Sequence, residues 1–164
     1  MSGIRKEIQQ QRPFPTKPEE ALVSLLRTVA VISAPIEDVL RKHDLTATQY
    51  NVLRILRGAG DSGWSCKEIG ERLVQREPDI TRLLGRLEKR GLISRKRDPG
   101  DRRSVRSRIT ARGLALLETL HPVLSQWAAQ WFQRIQETDI QRLLGILDEI
   151  RASTPSVPVE NDDG

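Results

Sequence analysis

Three observations predict a mainly α-helical, α+β fold with six helices and one β-hairpin. Apolar residues recur every three or four positions through six separate segments, which places them on one side of each predicted helix. Two short segments, residues 92–95 and 105–109, instead alternate apolar and polar residues as strands do. Between them lies Asp98-Pro-Gly-Asp101, which is a strong turn signal.

The chain has 164 residues, which fits one compact domain with an added oligomerisation element. Hydrophobic residues make up 37% and aromatic residues 4%, so a monomer would have a modest core, which favours burial of apolar surface against a second subunit. Residues 1–17 are polar and contain prolines, which predicts a flexible arm. Residues 153–164 have few core-forming side chains, which predicts a disordered acidic tail.

The first predicted helix covers residues 19–42 and contains Pro35. Proline removes a backbone donor and clashes with the preceding turn, so a kink or a short break is expected near Ala34. The second helix is predicted to begin at Thr46, because Thr46 and Gln49 have the spacing of a capping box.

A helix-turn-helix followed by a basic hairpin is predicted over residues 65–109. Ser65 and Glu68 have the spacing of a second capping box, and Pro78 is expected in the first turn of the following helix. The apolar stripe of that helix consists of Ile80, Leu83, Leu84 and Leu87. With the hairpin as its wing, this segment is predicted to be a winged helix.

Positive charge is concentrated in this segment. Residues 65–112 carry fifteen basic and seven acidic side chains, a net charge of +8, whereas the whole chain carries +5. Like charges crowded into a small hairpin repel one another unless an anion neutralises them, and phosphate is the obvious anion. We therefore expect the segment to contact double-stranded DNA.

The second helix of the motif supplies the predicted contacts to bases. Four side chains should face outward and enter a major groove: Asp79, Thr81, Arg82 and Arg86. Arg82 and Arg86 are the best base-reading candidates, because arginine can donate two hydrogen bonds to guanine. The alternative is that both arginines belong to a solvated helix face and pair with neighbouring acidic residues.

The remaining predicted contacts are to phosphate. They are Ser65, Lys67, Arg76, Arg95, Arg97, Arg102, Arg103 and Arg106. Arg103 lies at the hairpin tip and is expected to enter a minor groove, because a narrow groove concentrates negative potential. Asp101 is expected to brace the tip by pairing with an arginine.

Several segments resemble the MarR (multiple antibiotic resistance regulator) family. Residues 92–95, 98–103 and 109–113 are similar to its wing signature, residues 80–91 to its recognition helix, and residues 45–53 to its second helix. The resemblance spans roughly residues 20 to 150, and the order of the helices agrees with it.

The resemblance implies a homodimeric transcriptional regulator. It implies a dimerisation domain of residues 18–44 and 111–152, and a DNA-binding domain of residues 45–110. The expected target is a pseudo-palindromic operator, and the expected mode is a repressor that a small phenolic or aromatic acid releases. One residue departs from the family pattern: Ser107 stands where the second wing strand usually has an aliphatic residue, which puts the packing of that strand in question.

Two other functions stay open. Cys66 lies in the first turn of a predicted helix beside Lys67, so a redox-sensing regulator is one alternative. A dimeric protein-interaction module without DNA binding is another. His43 and His121 lack ligand-spaced neighbours, and no nucleophile, base and orienting group occur together, so the sequence predicts no metal, no cofactor and no enzyme.

Three aromatic residues of the penultimate helix, Trp127, Trp131 and Phe132, are expected in the core or the dimer interface, with an effector pocket as the alternative. The N-terminus lacks an apolar leader, and no segment has the roughly 18 apolar residues of a membrane span. A soluble, cytoplasmic protein without a membrane partner is therefore expected.

Overall fold

The computed structural model describes residues 3–97 and 104–153. Within these residues, seven α-helices and three strands follow one another along the chain. The helices are α1 (Gly3–Glu7), α2 (Lys17–Arg41), α3 (Ala47–Gly58), α4 (Cys66–Arg72), α5 (Ile80–Lys89), α6 (Ala111–Phe132) and α7 (Glu137–Ser153), and the strands are β1 (Trp64–Ser65), β2 (Ile93–Arg97) and β3 (Val105–Ile109). The mainly helical α+β class predicted from the sequence is confirmed.

The N-terminal segment differs from the flexible arm predicted at residues 1–17. It contains α1, which raises the helix count in the described residues from the predicted six to seven. Glu7 accepts a hydrogen bond from the Nε atom of Arg27 at 2.7 Å, which ties the segment to α2. A helix of five residues is too short to show apolar periodicity, so the sequence pattern did not reveal it.

Two prolines also lie in surroundings that differ from the prediction. α2 runs from Lys17 to Arg41 through Pro35, so of the kink or short break expected near Ala34, the break is not formed. A helix of this length tolerates the loss of one backbone hydrogen bond when its remaining bonds and packing are kept. Pro78 precedes Asp79, the N-cap residue of α5, and therefore lies outside the first turn of that helix.

Both predicted capping boxes are present. The Thr46 hydroxyl accepts from the backbone N–H of Gln49 at 3.2 Å, and the Gln49 side chain accepts from the N–H of Thr46 at 3.0 Å. Ser65 and Glu68 make the same reciprocal pair at 3.3 Å and 2.8 Å. Each box satisfies two backbone donors that the helix itself leaves unpaired, which explains where α3 and α4 begin.

The three strands form an antiparallel sheet in the order β1-β3-β2. Ile93 lies opposite Ile109 across the predicted wing hairpin. On the other edge of β3, Trp64 lies opposite Ser107, which adds a strand that the sequence did not predict. The predicted turn at residues 98–101 lies outside the described residues.

The chain divides into two compact units, residues 1–121 and 122–164. In the first unit, side chains from α2, α3, α4, α5 and α6 form the core. Its fully buried members include Leu40, Val52, Leu53, Leu56, Ile69, Leu84 and Leu87. In the second unit, α7 is seventeen residues long and buries none of them.

Ser107, the residue that departs from the family pattern, lies at the centre of the sheet. It is fully buried, and its hydroxyl oxygen has no hydrogen-bond partner among the described residues. A buried hydroxyl without a partner loses its hydration and gains nothing in return. The residue that departs from the family pattern therefore places an unsatisfied buried hydroxyl in the second wing strand.

We expect Ser107→Ala to stabilise the protein by about 1 kcal/mol, because the substitution removes the unsatisfied hydroxyl and adds no atom to the core. Urea unfolding at a fixed subunit concentration measures the change. Ser94→Ala, the same substitution at a half-buried position of the neighbouring strand β2, is the control and should change the free energy of unfolding by less than about 0.5 kcal/mol. A loss of stability for Ser107→Ala would contradict this account of the site.

Candidate nucleic-acid interface

Helix α5 presents a polar face to solvent because its apolar side chains lie on the opposite face and are buried in the core. Leu83, Leu84 and Leu87 are buried, whereas Thr81, Arg82 and Arg86 are exposed. The two arginines are four positions apart, so they project from neighbouring turns of one side of the helix. These are the outward positions that the sequence predicted.

Asp79 has a role that the prediction of base contact did not include. It is the N-cap of α5, and its side chain accepts a hydrogen bond from the backbone N–H of Arg82 at 2.9 Å. This bond satisfies one of the free donors at the helix start and positions the first turn. The sequence contains the signal, an aspartate directly before a helical stripe, but the prediction of Pro78 in the first turn places Asp79 inside the helix and not at its N-cap.

Glu68 connects the start of α4 to the wing. Its carboxylate accepts from the backbone N–H of Ser65 and lies 3.6 Å from the guanidinium of Arg106. The pKa of Glu68 is lowered by the hydrogen bond from the Ser65 backbone, then by the one with the Ser65 hydroxyl, and further by the charges of Arg106 and Arg72. Ser65, a predicted phosphate contact, is the N-cap of α4 and is bonded to Glu68.

Two arginines of β3 brace the base of the wing. Arg106 donates from Nη1 to the carbonyl of Gly63 at 3.2 Å, and Arg108 donates from Nε to the carbonyl of Asp61. The segment at Gly63 approaches β3 closely, because a Cβ atom there would lie 2.5 Å from the carbonyl oxygen of Ser107. Arg106 was predicted as a phosphate contact, and the structure places it between the wing and the start of α4.

A further contact joins the wing to α5. The backbone N–H of Arg95 donates to Glu88 at 3.2 Å, and the guanidinium of Arg95 lies 3.9 Å from the same carboxylate. The Arg95 side chain is only 20% exposed, which leaves little of it for a ligand. Glu88 and Arg95 thus fix the wing relative to the last turn of α5.

The other predicted phosphate contacts are at the surface. Lys67, Arg76 and Arg97 are exposed, and they lie in α4, in the connection to α5 and at the end of β2. Asp101, Arg102 and Arg103 lie outside the described residues. The described residues therefore include an exposed pair of arginines on α5 and exposed cations on α4, on the connection to α5 and on β2.

Trp64 makes a contact that sequence reasoning missed. The Arg72 guanidinium lies 4.1 Å from the centre of its ring, which is a cation–π contact between α4 and β1. The contact depends on a strand of two residues, which is too short to show a sequence pattern. Cys66, the candidate redox residue, is half-buried at the first position of α4.

The second unit contains all three aromatic residues singled out in the sequence, Trp127, Trp131 and Phe132. The rings of Trp127 and Trp131 have centres 6.2 Å apart and an interplanar angle of 45°. Trp131 and Phe132 remain 37% and 38% exposed.

Among the described residues, no three His, Cys, Asp or Glu side chains are placed to hold a metal ion. Nor does any described helix have the length and apolar character to cross a membrane.

The comparisons with known proteins agree with this arrangement. The MarR family model matches residues 45–105. The transcriptional repressor IacR of Pseudomonas putida is 30% identical over 115 residues, which cover 70% of this chain and 68% of IacR. The chain belongs to the MarR family.

Solved structures support the same assignment. A MarR transcription factor from Planctomyces limnophilus is 34% identical, with a TM-score of 0.63, and the match covers 83% of this chain and 98% of that protein. The S. aureus MepR–DNA complex has a higher TM-score, 0.71, at 22% identity, and the match covers 80% of this MarR-family chain and 96% of MepR. At that identity the second likeness shows the fold alone.

Proposed function

We propose that this MarR-family protein is a homodimeric, sequence-specific DNA-binding regulator of transcription that reads its operator with α5. The observation that carries the proposal is the exposed pair Arg82 and Arg86 on a helix whose other face is packed into the core. The cations around α5 supply the attraction to the DNA backbone. The name of the relative IacR, a transcriptional repressor, favours repression as the mode.

The spacing of the two arginines suits a major groove. Four residues along an α-helix correspond to about 6 Å, which is close to the separation of two base-pair steps. Each guanidinium has the planar donor geometry that matches the O6 and N7 atoms of guanine. Thr81, also exposed in the first turn of α5, is placed to add a contact with a base or with the backbone.

Lys67, Arg76 and Arg97 are proposed to hold phosphates, because they are exposed and lie on elements next to α5. Arg102 and Arg103 are proposed for the same role in the hairpin, with Asp101 as the brace of its tip. Arg95 and Arg106 contribute by positioning the wing through Glu88 and Glu68. Contacts of this kind fix the register of the protein on the duplex but carry little sequence information.

The proposed dimer rests on apolar surface that each unit leaves exposed. On α2, Leu22, Leu26 and Val29 form a stripe and are 57%, 63% and 52% exposed. On α7, Leu144, Ile146 and Ile150 are also exposed, and a helix of seventeen residues is marginal in water unless one face is packed. A two-fold dimer presents two copies of α5, so its operator is a pseudo-palindrome with half-sites about 10 bp apart.

We also propose that a small phenolic or aromatic acid releases the protein from its operator, as the family resemblance implies. Release is measured by adding a panel of such acids to the protein–operator complex. If none of them dissociates the complex, this part of the proposal is wrong. Peroxide belongs in the same panel. A response to peroxide that Cys66→Ser abolishes would favour the redox-sensing alternative.

The test of the function is selection of bound fragments from random duplex DNA, followed by measurement of affinity on the selected operator. A symmetric operator is the expected result. Binding to acidic proteins that excess nonspecific duplex does not displace would favour the interaction module instead. Footprinting of a single asymmetric half-site would contradict the dimeric reading.

We predict different losses for the two classes of arginine. Arg82→Ala should weaken binding to the selected operator about 10- to 100-fold and change nonspecific binding little, because it removes a base contact. Arg103→Ala should weaken binding to all sequences alike and reduce the slope of log K against log salt by about 1. Arg142→Ala, in α7, removes an arginine whose side chain is 76% exposed and is the control. Equal losses on every sequence for Arg82→Ala and Arg103→Ala would refute the division of roles.

A further inference from the structure

The C-terminal end of α5 is held by a residue that the proposed DNA contacts do not use. Arg90, the C-cap of α5, donates from Nη2 to the carbonyl of His43 at 2.8 Å and from Nη1 to the carbonyl of Asp44. One planar guanidinium therefore binds two consecutive carbonyl groups of the connection between α2 and α3. These carbonyls are more than forty residues away in sequence.

That connection is a fixed extension of α2. The backbone N–H groups of His43 and Leu45 both donate to the carbonyl of Leu40, at 2.9 Å and 3.0 Å. Leu40 and Leu45 are buried, and Asp44 has a left-handed backbone with φ 53°. A turn held this way cannot shift independently of α2, so the bonds from Arg90 connect α5 to α2 itself.

We infer that Arg90 is a positioning residue that sets the orientation of α5 relative to α2, and thereby the spacing of half-sites that the dimer accepts. The inference rests on the proposed function, in which α2 supplies dimer surface and α5 enters the groove. In a two-fold dimer, both subunits have the same orientation of α5 on α2. A change in that angle therefore moves both copies of α5, and the distance between them changes by the sum of the two movements.

Both hydrogen bonds depend on the fork of donors that only arginine has. Methionine at position 90 keeps an unbranched apolar stem but removes the donors and the charge. Lysine keeps the charge and offers a compact ammonium that cannot reproduce the planar pair of bonds. The two substitutions therefore separate the effect of charge from that of geometry.

The measurement that distinguishes positioning from plain stability is a spacing profile. The dissociation constant is measured on the selected operator and on the same operator with one base pair inserted at its centre. The insertion rotates one half-site by about 34° and moves it by about 3.4 Å, which a rigid dimer cannot follow. The wild-type protein should bind the longer duplex at least about tenfold more weakly, and Arg90→Met should reduce that ratio to about threefold or less.

Arg41→Met is the matched control, because Arg41 lies in the last turn of α2, its side chain is 73% exposed, and it pairs with Asp38 on the same helix. It should leave the ratio unchanged. Arg90→Lys should give an intermediate ratio, and it decides the question if Arg90→Met does not fold. Equal weakening on both duplexes, with the wild-type ratio retained, would overturn the inference while leaving the proposed function intact. Failure of the wild-type protein to select any duplex would instead overturn the proposed function.

Discussion

Gly113→Ala is expected to lower the free energy of unfolding by about 3 kcal/mol, although alanine is intrinsically the better helix former. A Cβ atom at position 113 would lie 2.3 Å from the carbonyl oxygen of Leu92 and 2.8 Å from the side chain of Ile109. The first contact is with backbone that cannot move aside, because the Leu92 carbonyl also accepts the N–H of Thr110 at 3.1 Å. The substitution must therefore push α6 away from the start of β2.

Urea unfolding at a fixed subunit concentration measures this loss, since the stability of a proposed dimer depends on concentration. Gly85→Ala is the matched control. Gly85 lies inside α5, and a Cβ atom there would meet nothing within 4 Å, so the control should stabilise the protein by up to about 1 kcal/mol. A destabilisation of similar size in both variants would show that the close approach at Gly113 is not the cause.

Leu26→Glu is expected to convert the proposed dimer into monomers and to weaken binding to the selected operator at least about 100-fold. Leu26 is 63% exposed in the middle of the α2 stripe, and a two-fold interface would bury two added carboxylates without partners. Each monomer would then hold only one half-site and would lose the gain of simultaneous binding. Sedimentation and operator titration measure the two effects separately.

Thr28→Glu is the control for Leu26→Glu. Thr28 is exposed on the same helix and faces about 160° away from Leu26 around its axis. It adds the same charge to α2 away from the stripe, so the dimer and its DNA binding should be retained. A Leu26→Glu protein that remains dimeric would show that the α2 stripe is not the interface.

The features that the sequence predicted correctly depend on neighbouring residues. The capping boxes at Thr46 and Ser65 need partners three positions away, and the α5 stripe needs only helical periodicity. The outward position of Arg82 and Arg86 follows directly from that stripe. The family resemblance was confirmed for the same reason, since its motifs lie in short, continuous segments.

The features that it did not predict depend on contacts between distant residues. Arg106 and Arg108 reach carbonyl groups 43 and 47 positions earlier, and only the pairing of β1 with β3 brings them together. The sequence alone does not distinguish the hairpin cations that bind carbonyl groups from those that could bind phosphate. The bonds of Arg90 to the α2–α3 connection were hidden for the same reason.

The bracing of the wing base by Arg106 and Arg108 has a consequence for the thermodynamics of DNA binding. A free arginine side chain carries about 2 kcal/mol of rotamer entropy, and much of that entropy is lost here when the chain folds. The base of the wing is then already ordered before any duplex arrives. Association would therefore immobilise mainly the exposed side chains of α5 and the wing, and a larger part of their contact energy would remain as affinity.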